Sequence, residues 1–187
     1  MAQSNSIAIR LPVLWIALSL STLAHLSFVM LDTEHYAVDS STYLIPADNL
    51  LHGLGFLNAA HQPELRRTPG YPLLLAIFRA APLRVEYLIV LQHLLCVLLT
   101  VTVAAFALRV SGSALVALTA TIVLSLDLAT LRIANLLMTE TLSTVLIALA
   151  AWSLYRAILS PAKRMAASLL AGFLCGCATL VRPACLL

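Results

Sequence analysis

Two carboxylates and two arginines are the residues of this sequence best placed to do chemistry. Asp39 lies in a polar stretch, roughly Asp32 to Pro72, that interrupts an otherwise apolar chain. Glu140 lies in a shorter polar patch with Asn135 and Thr139. A carboxylate at a water–lipid boundary can act as a general base. Arg67 and Arg182 can each grip a phosphate through two parallel N–H bonds. Every one of these residues also has a plainer use. Asp39 suits a helix N-cap, and Glu140 suits the first turn of a helix. Either arginine can snorkel to a membrane interface. Asp32 and Glu34 are fallback bases or solvated boundary charges. Arg66 is a weaker phosphate candidate than its neighbour. Nothing in their spacing makes His52 and His61 a metal site.

The polar stretch has internal order. Asp39 or Ser40 reads as the cap of a helix that carries Tyr43, Ala47, Leu50, Leu51 and Leu54 at helical spacing. Asp48 and Asn49 fall on the opposite face, Pro46 falls early, and Gly53 and Gly55 end the helix. This is the pattern of a short amphipathic helix on a membrane surface. Gly70, between Pro69 and the Tyr71–Pro72 pair, makes a rigid turn.

Composition says what surrounds that stretch. Of 187 residues, 61% are hydrophobic and 10% charged, with a mean hydropathy of +0.99. Ordinary soluble domains do not need such a composition. In lipid only helices and closed barrels satisfy their own backbone. The long, non-alternating Leu/Ala/Val runs exclude a barrel. The expected class is all-α: a polytopic integral membrane helical bundle, a single transmembrane domain over 1–187 with an external loop at 32–86. The net charge of +3 is spread along the chain, so no basic patch for nucleic acid exists.

The apolar runs predict about five spans of membrane length. They are Leu11–Leu31, Tyr87–Leu108, Ser113–Leu131, Leu142–Tyr155 and Met165–Val181. The first, with Pro12 in its first turn, is too long for a cleaved leader and reads as a retained anchor. Pro69–Phe78 is only about half the needed length and reads as non-spanning. Counts of Lys and Arg do not choose between topologies, so length decides. With the N-terminus inside, Asp39 and Glu140 then face one compartment. His25, His93 and Asp127 are the ionisable groups within spans, and none pairs obviously. In the last span Ala171, Gly172, Gly176 and Ala178 should face other helices. The cysteines are Cys96, Cys175, Cys177 and Cys185. The only close pair, Cys175 and Cys177, does not match a metal site in spacing or ligand number, and small buried residues in a helix are the better reading of it.

A family resemblance covers most of the chain. It is carried by Asp39-x-x-x-Tyr43-x-x-x-Ala47-x-x-Leu50-x-x-Gly53-x-Gly55-Phe56 and by Arg67-Thr68-Pro69-Gly70-Tyr71-Pro72-Leu73-Leu74-Leu75-Ala76. Together these resemble the first external loop of GT-C glycosyltransferases. The narrower likeness is to the bacterial branch related to protein O-mannosyltransferases and lipid A aminoarabinose transferases. Met138-Thr139-Glu140-Thr141-Leu142 resembles the second external loop, and Leu180-Val181-Arg182-Pro183 the end of a later span.

The resemblance implies juxtamembrane helices in the first external loop and active loops on the periplasmic or extracellular side of the plasma (inner) membrane. It implies transfer of a sugar from a polyprenyl-phosphate donor to an acceptor it does not name. Asp39 takes the position of the catalytic aspartate, and Glu140 that of a second acid orienting acceptor or metal. Arg67 and Arg182 become phosphate contacts, and Tyr43 and Tyr71 join them as substrate-binding positions. No residue is assigned to metal, although a divalent ion is compatible with the family. Relatives carry more spans, so the chain corresponds to an N-terminal module, apparently truncated. The rival expectations are a small transporter or channel subunit, which would align ionisable groups inside spans, and a non-catalytic remnant of the fold.

Overall fold

The protein is all-α. The structure, a computed structural model, describes residues 2–81 and 83–183; Pro82 and Cys185 lie outside them. Among the described residues eight α-helices follow in order: α1 Ala2–Leu31, α2 Ser41–Leu51, α3 Gly70–Ala80, α4 Val85–Ser111, α5 Ala114–Ser125, α6 Leu128–Ala134, α7 Glu140–Leu159 and α8 Arg164–Val181. Among the described residues four segments are long and apolar enough to cross a membrane: Leu11–Leu31, Val85–Ser111, Glu140–Leu159 and Pro161–Val181. A fifth exists if α5 and α6 are one broken span. Their length and composition are those of a membrane protein. The eleven residues of α3 rise only about 16 Å at about 1.5 Å each, against about 30 Å of hydrocarbon.

Two compact units divide the chain. One holds the residues up to Glu34 together with Val90–Asn135, and the other His35–Ile89 with Leu136 onward. In the first unit α1 packs along α5 and touches α6. Small residues every four positions make the close approach possible: Ala17 and Ser21 on α1, Ala117, Thr121 and Ser125 on α5, all fully buried. Val13, Leu108 and Ala117 form an apolar cluster beside them. Gln92 donates to the Ala134 carbonyl at 2.8 Å. The buried Asn135 amide donates to the carbonyls of Asp32 at 2.9 Å and Glu34 at 3.2 Å.

Several local expectations change. The third span is not straight: α5 and α6 meet at a 54° bend. Asp127 causes the break by capping α6, accepting from the N–H groups of Ala129 and Thr130. His25 and His93, taken as unpaired from sequence, are buried with their Nδ1 atoms 2.8 Å apart. Pro12 lies inside α1 rather than in its first turn, because the helix begins ten residues earlier.

In the second unit α2 packs on α3, and α7 pairs with α8 along their length. The face of α2 that is buried carries Tyr43, Pro46, Ala47 and Asn49. Leu51 and Leu54 are exposed, so the apolar face read from sequence is rotated. Asn49 turns inward because its amide donates to the Leu57 carbonyl at 2.9 Å. Pro46 falls in the second turn, where it forgoes a helical bond.

The small residues of α8 also divide. Ala171 and Ala178 are buried. Gly172 and Gly176 are exposed, and a Cβ on either would meet nothing within 4 Å. A Cβ on Gly70, by contrast, would lie 2.5 Å from the Leu180 carbonyl oxygen. Gly70→Ala should therefore destabilise by about 1–3 kcal/mol through a backbone clash. Gly176→Ala should be neutral or stabilising by up to about 1 kcal/mol. Thermal unfolding of both variants in one detergent checks this. Equal melting temperatures would show that α3 does not lie against α8 as described.

Candidate functional site

The site is built by three segments of the second unit meeting at helix ends. The first is the turn before α2. Here Ala37 N–H donates to Ser40 Oγ at 2.9 Å, and the same hydroxyl donates to the Leu137 carbonyl at 3.1 Å. Leu137 N–H in turn donates to the His35 carbonyl at 2.9 Å. These bonds stitch the polar stretch to the second polar patch and set Asp39 and Glu140 on one cleft. Ser40, not Asp39, does the local hydrogen bonding. The carboxylate of Asp39 caps no helix and is free to face Arg67.

The second segment is Glu64–Tyr71. Glu64 Oε1 accepts the N–H groups of Arg66 at 2.6 Å and Arg67 at 3.2 Å, curling the chain before α3. Arg67 Nη2 then lies 3.1 Å from Asp39 Oδ2. Its Nη1 donates to the Tyr43 hydroxyl at 2.9 Å, and the guanidinium carbon is 4.6 Å from the Tyr43 ring centre. Tyr43 meets Tyr71 edge to face, with ring centres 5.4 Å apart. Tyr71 is fully buried. Burial pushes its hydroxyl well above the usual tyrosine range; Tyr43 and Glu140 add to this, and a backbone hydrogen bond at Met138 opposes it. Tyr71 therefore remains a neutral phenol at physiological pH and cannot serve as a base.

The third segment joins the start of α7 to the end of α8. Glu140 Oε1 lies 3.1 Å from Arg182 Nη1. Asp39, Tyr43, Arg67, Glu140 and Arg182 line one cavity of about 180 Å³, together with Arg66. A larger open groove of about 780 Å³ adjoins it and shares Asp39, Arg66 and Arg67 as walls. Five of the six residues singled out by sequence thus line a single cleft, and the sixth, Tyr71, supports it from below.

Other candidates are engaged in local contacts. Asp32 Oδ1 accepts from Glu34 N–H at 3.0 Å. Glu34 lies 3.7 Å from Arg132, both side chains well exposed. His52 Nδ1 is 2.8 Å from the Asp48 carbonyl, and His61 occupies a left-handed turn. Among the described residues no three His, Cys, Asp or Glu side chains converge as metal ligands. Sequence reasoning missed Ser40 and Leu137, whose partners lie 97 positions apart; only the polar character of Ser40 beside a helix start hinted at it.

Comparison with protein-family models, with characterised proteins and with solved structures finds no match.

Ser40 gives the site its own test. It is buried, and Ser40→Ala leaves the part-buried Ala37 N–H and the buried Leu137 carbonyl without this partner, a loss of about 1–3 kcal/mol. Ser41→Ala removes only an exposed bond, 3.4 Å long, and should be nearly silent. Thermal unfolding side by side should separate the two. A Ser40→Ala protein as stable as Ser41→Ala would mean that the two loops are not tied there.

Proposed function

We propose that the protein is a membrane glycosyltransferase, or the N-terminal module of one. It would transfer a sugar from a polyprenyl-phosphate donor to a hydroxyl acceptor on the non-cytoplasmic face. The observation that carries this reading is the cleft itself: two carboxylates and two arginines at helix ends, in a chain otherwise suited to lipid. The small cavity has room for a phosphate, and the groove beside it has room for a sugar or an acceptor. Their shared wall at Asp39 and Arg67 is where a donor and an acceptor would meet. The loop and span motifs that resemble GT-C enzymes supply the reaction class.

The chemistry follows from the two ion pairs. A donor phosphate competes with Asp39 for Arg67 and with Glu140 for Arg182, since guanidinium binds phosphate in the same forked geometry as carboxylate. Asp39, relieved of its partner, takes the proton from the acceptor hydroxyl. The acceptor oxygen forms its bond to the anomeric carbon as the bond from that carbon to the phosphate oxygen breaks. Polyprenyl phosphate leaves with the electron pair, its charge met by Arg67 and Arg182. Glu140 orients Arg182, the acceptor or a divalent ion.

Orientation is part of the proposal. With α3 non-spanning, Asp39 and Glu140 face outward and the α7–α8 connection faces the cytoplasm. Single cysteines at positions 39 and 140, in a background lacking the native cysteines, should react with an impermeant reagent from the same, outer side. Labelling from opposite sides rules out the topology.

Asp39→Asn keeps size and removes the base, so transfer should fall about 10²–10⁴-fold. Arg67→Ala should chiefly raise the KM for donor. Both are measured as transfer from polyprenyl-phosphate sugar in reconstituted membranes, on the chain alone and on any longer product of its gene. Full activity of Asp39→Asn, with Asp32→Asn or Glu34→Gln inactive, would transfer the role to another carboxylate. Failure of every form to bind the donor would remove the enzyme reading.

One observation favours the second reading, a transporter subunit: the buried contact between His25 and His93 within apolar helices. A transport path needs a succession of such groups, and two imidazoles are a pair.

A further inference from the structure

The α7–α8 hairpin has a second cavity at its opposite end. It is a groove of about 440 Å³ between the two helices. Its walls are Leu149 and Trp152 of α7 and Leu170 and Leu174 of α8, and Arg156 and Lys163 stand at its mouth. Ser153 contributes a polar spot but is itself buried. The walls lie on the two segments Glu140–Leu159 and Pro161–Val181, both long and apolar enough to span. In a bilayer crossed by these two helices, the apolar walls of the groove would lie at hydrocarbon depth and its mouth at the level where the helices leave it.

The mouth is uncompensated positive charge. The sequence holds no Asp or Glu after Glu140. Among the described residues Arg156 and Lys163 make no ion pair; Arg67, Arg79, Arg84, Arg132 and Arg182 are the basic residues that do. The mouth also sits at the start of α8, whose Lys163 cap makes no side-chain hydrogen bond. Ala166 and Ala167, in the first turn, line the groove. The positive end of the helix dipole adds to the two cations there.

We propose that this groove binds an anionic phospholipid. Arg156 and Lys163 hold its phosphate, and one acyl chain lies along Leu149, Leu170 and Leu174. A soluble anion would use the mouth and leave the apolar walls unmatched. A phospholipid satisfies both, with its charge at the level where the helices leave the membrane. Basic pockets between spans on the cytoplasmic side recognise anionic headgroups by this same combination, and the orientation proposed above puts the mouth on that side. The groove and its cations belong to the hairpin alone, while the side of the membrane on which the mouth lies rests on the orientation proposed above, and neither depends on whether the cleft transfers sugar.

The chain has two tryptophans, Trp15 and Trp152, so Trp15→Phe leaves a single reporter in the groove wall. The full chain is reconstituted in phosphatidylcholine vesicles, and brominated-chain phosphatidylglycerol or brominated-chain phosphatidylcholine is titrated in. Phosphatidylglycerol should quench Trp152 about fivefold more effectively per mole. The double substitution Arg156→Gln, Lys163→Gln should bring that ratio to near one, with quenching by phosphatidylcholine unchanged because the protein is still inserted. Arg164→Gln, a cation outside the groove lining, should retain the preference. Equal quenching of the unsubstituted mouth by the two lipids overturns the proposal without recourse to any variant. So does loss of the preference in Arg164→Gln as complete as in the double variant, which would make it general surface charge. Displacement by millimolar inorganic phosphate would assign the site to a soluble anion instead.

Discussion

A position without a side chain sets how closely α3 approaches α8 in the second unit. The backbone of Gly70 lies so close to the Leu180 carbonyl that a methyl group does not fit between them. That approach seats the start of α3 on the last turn of α8. Its consequences run in both directions. On one side Tyr71, the next residue, is driven into the interior, where it supports Tyr43, and Tyr43 receives Arg67. On the other side Arg182 leaves α8 two positions beyond Leu180 and meets Glu140. The Pro-Gly-Tyr-Pro sequence is thus architectural. Pro69 caps α3, and Pro72 falls in its first turn, where a missing N–H costs little. Gly70 is there because contact, not turn geometry, demands it.

The features legible in sequence were those with a local cause. Apolar runs of membrane length gave the spans because the bilayer fixes the length needed. The short run after Pro69 was legible as a helix too short to cross. Asp39, Arg67, Glu140 and Arg182 stood out as ionisable groups gathered at span ends, and they do line one cleft. What stayed hidden depended on partners far along the chain. His25 and His93 lie 68 positions apart. The inward turn of Asn49 depends on the Leu57 carbonyl, and the bend at Asp127 on a capping bond that outcompetes an otherwise continuous apolar run. In α8 the residues small enough for close packing were visible. Which of them pack was settled by the face turned to α7, and that face carries alanines.

The two units keep their polar groups in different ways. In the first, small hydroxyl residues and a histidine pair are buried between helices, and Asn135 ties the chain leaving α1 to the end of α6. In the second, charge is moved to the two ends of the α7–α8 hairpin. Carboxylates accompany the arginines at one end. At the other, the cations stand without them. The distribution is already in the sequence, where the last acidic residue is Glu140, but its meaning needs the hairpin: the same helices present a neutralised end and a positively charged end.

The bonds that build the cleft differ in kind from the bonds that fill it. The Ser40–Leu137 bond is buried, and breaking it strands a carbonyl in the interior; a backbone bond from Leu137 to His35 runs beside it. The Asp39–Arg67 pair is different: the aspartate side chain is 53% exposed and the arginine 26%. Pairs of this sort are worth about 0–1 kcal/mol, because water competes for both partners. A scaffold held by buried hydrogen bonds can therefore keep its shape while its ion pairs open. An anion with the geometry of a carboxylate needs only to match what water already nearly matches. Half-exposed ion pairs on a buried neutral frame make the cleft exchangeable in its contacts and fixed in its shape, as the binding of a phosphate-bearing substrate would require.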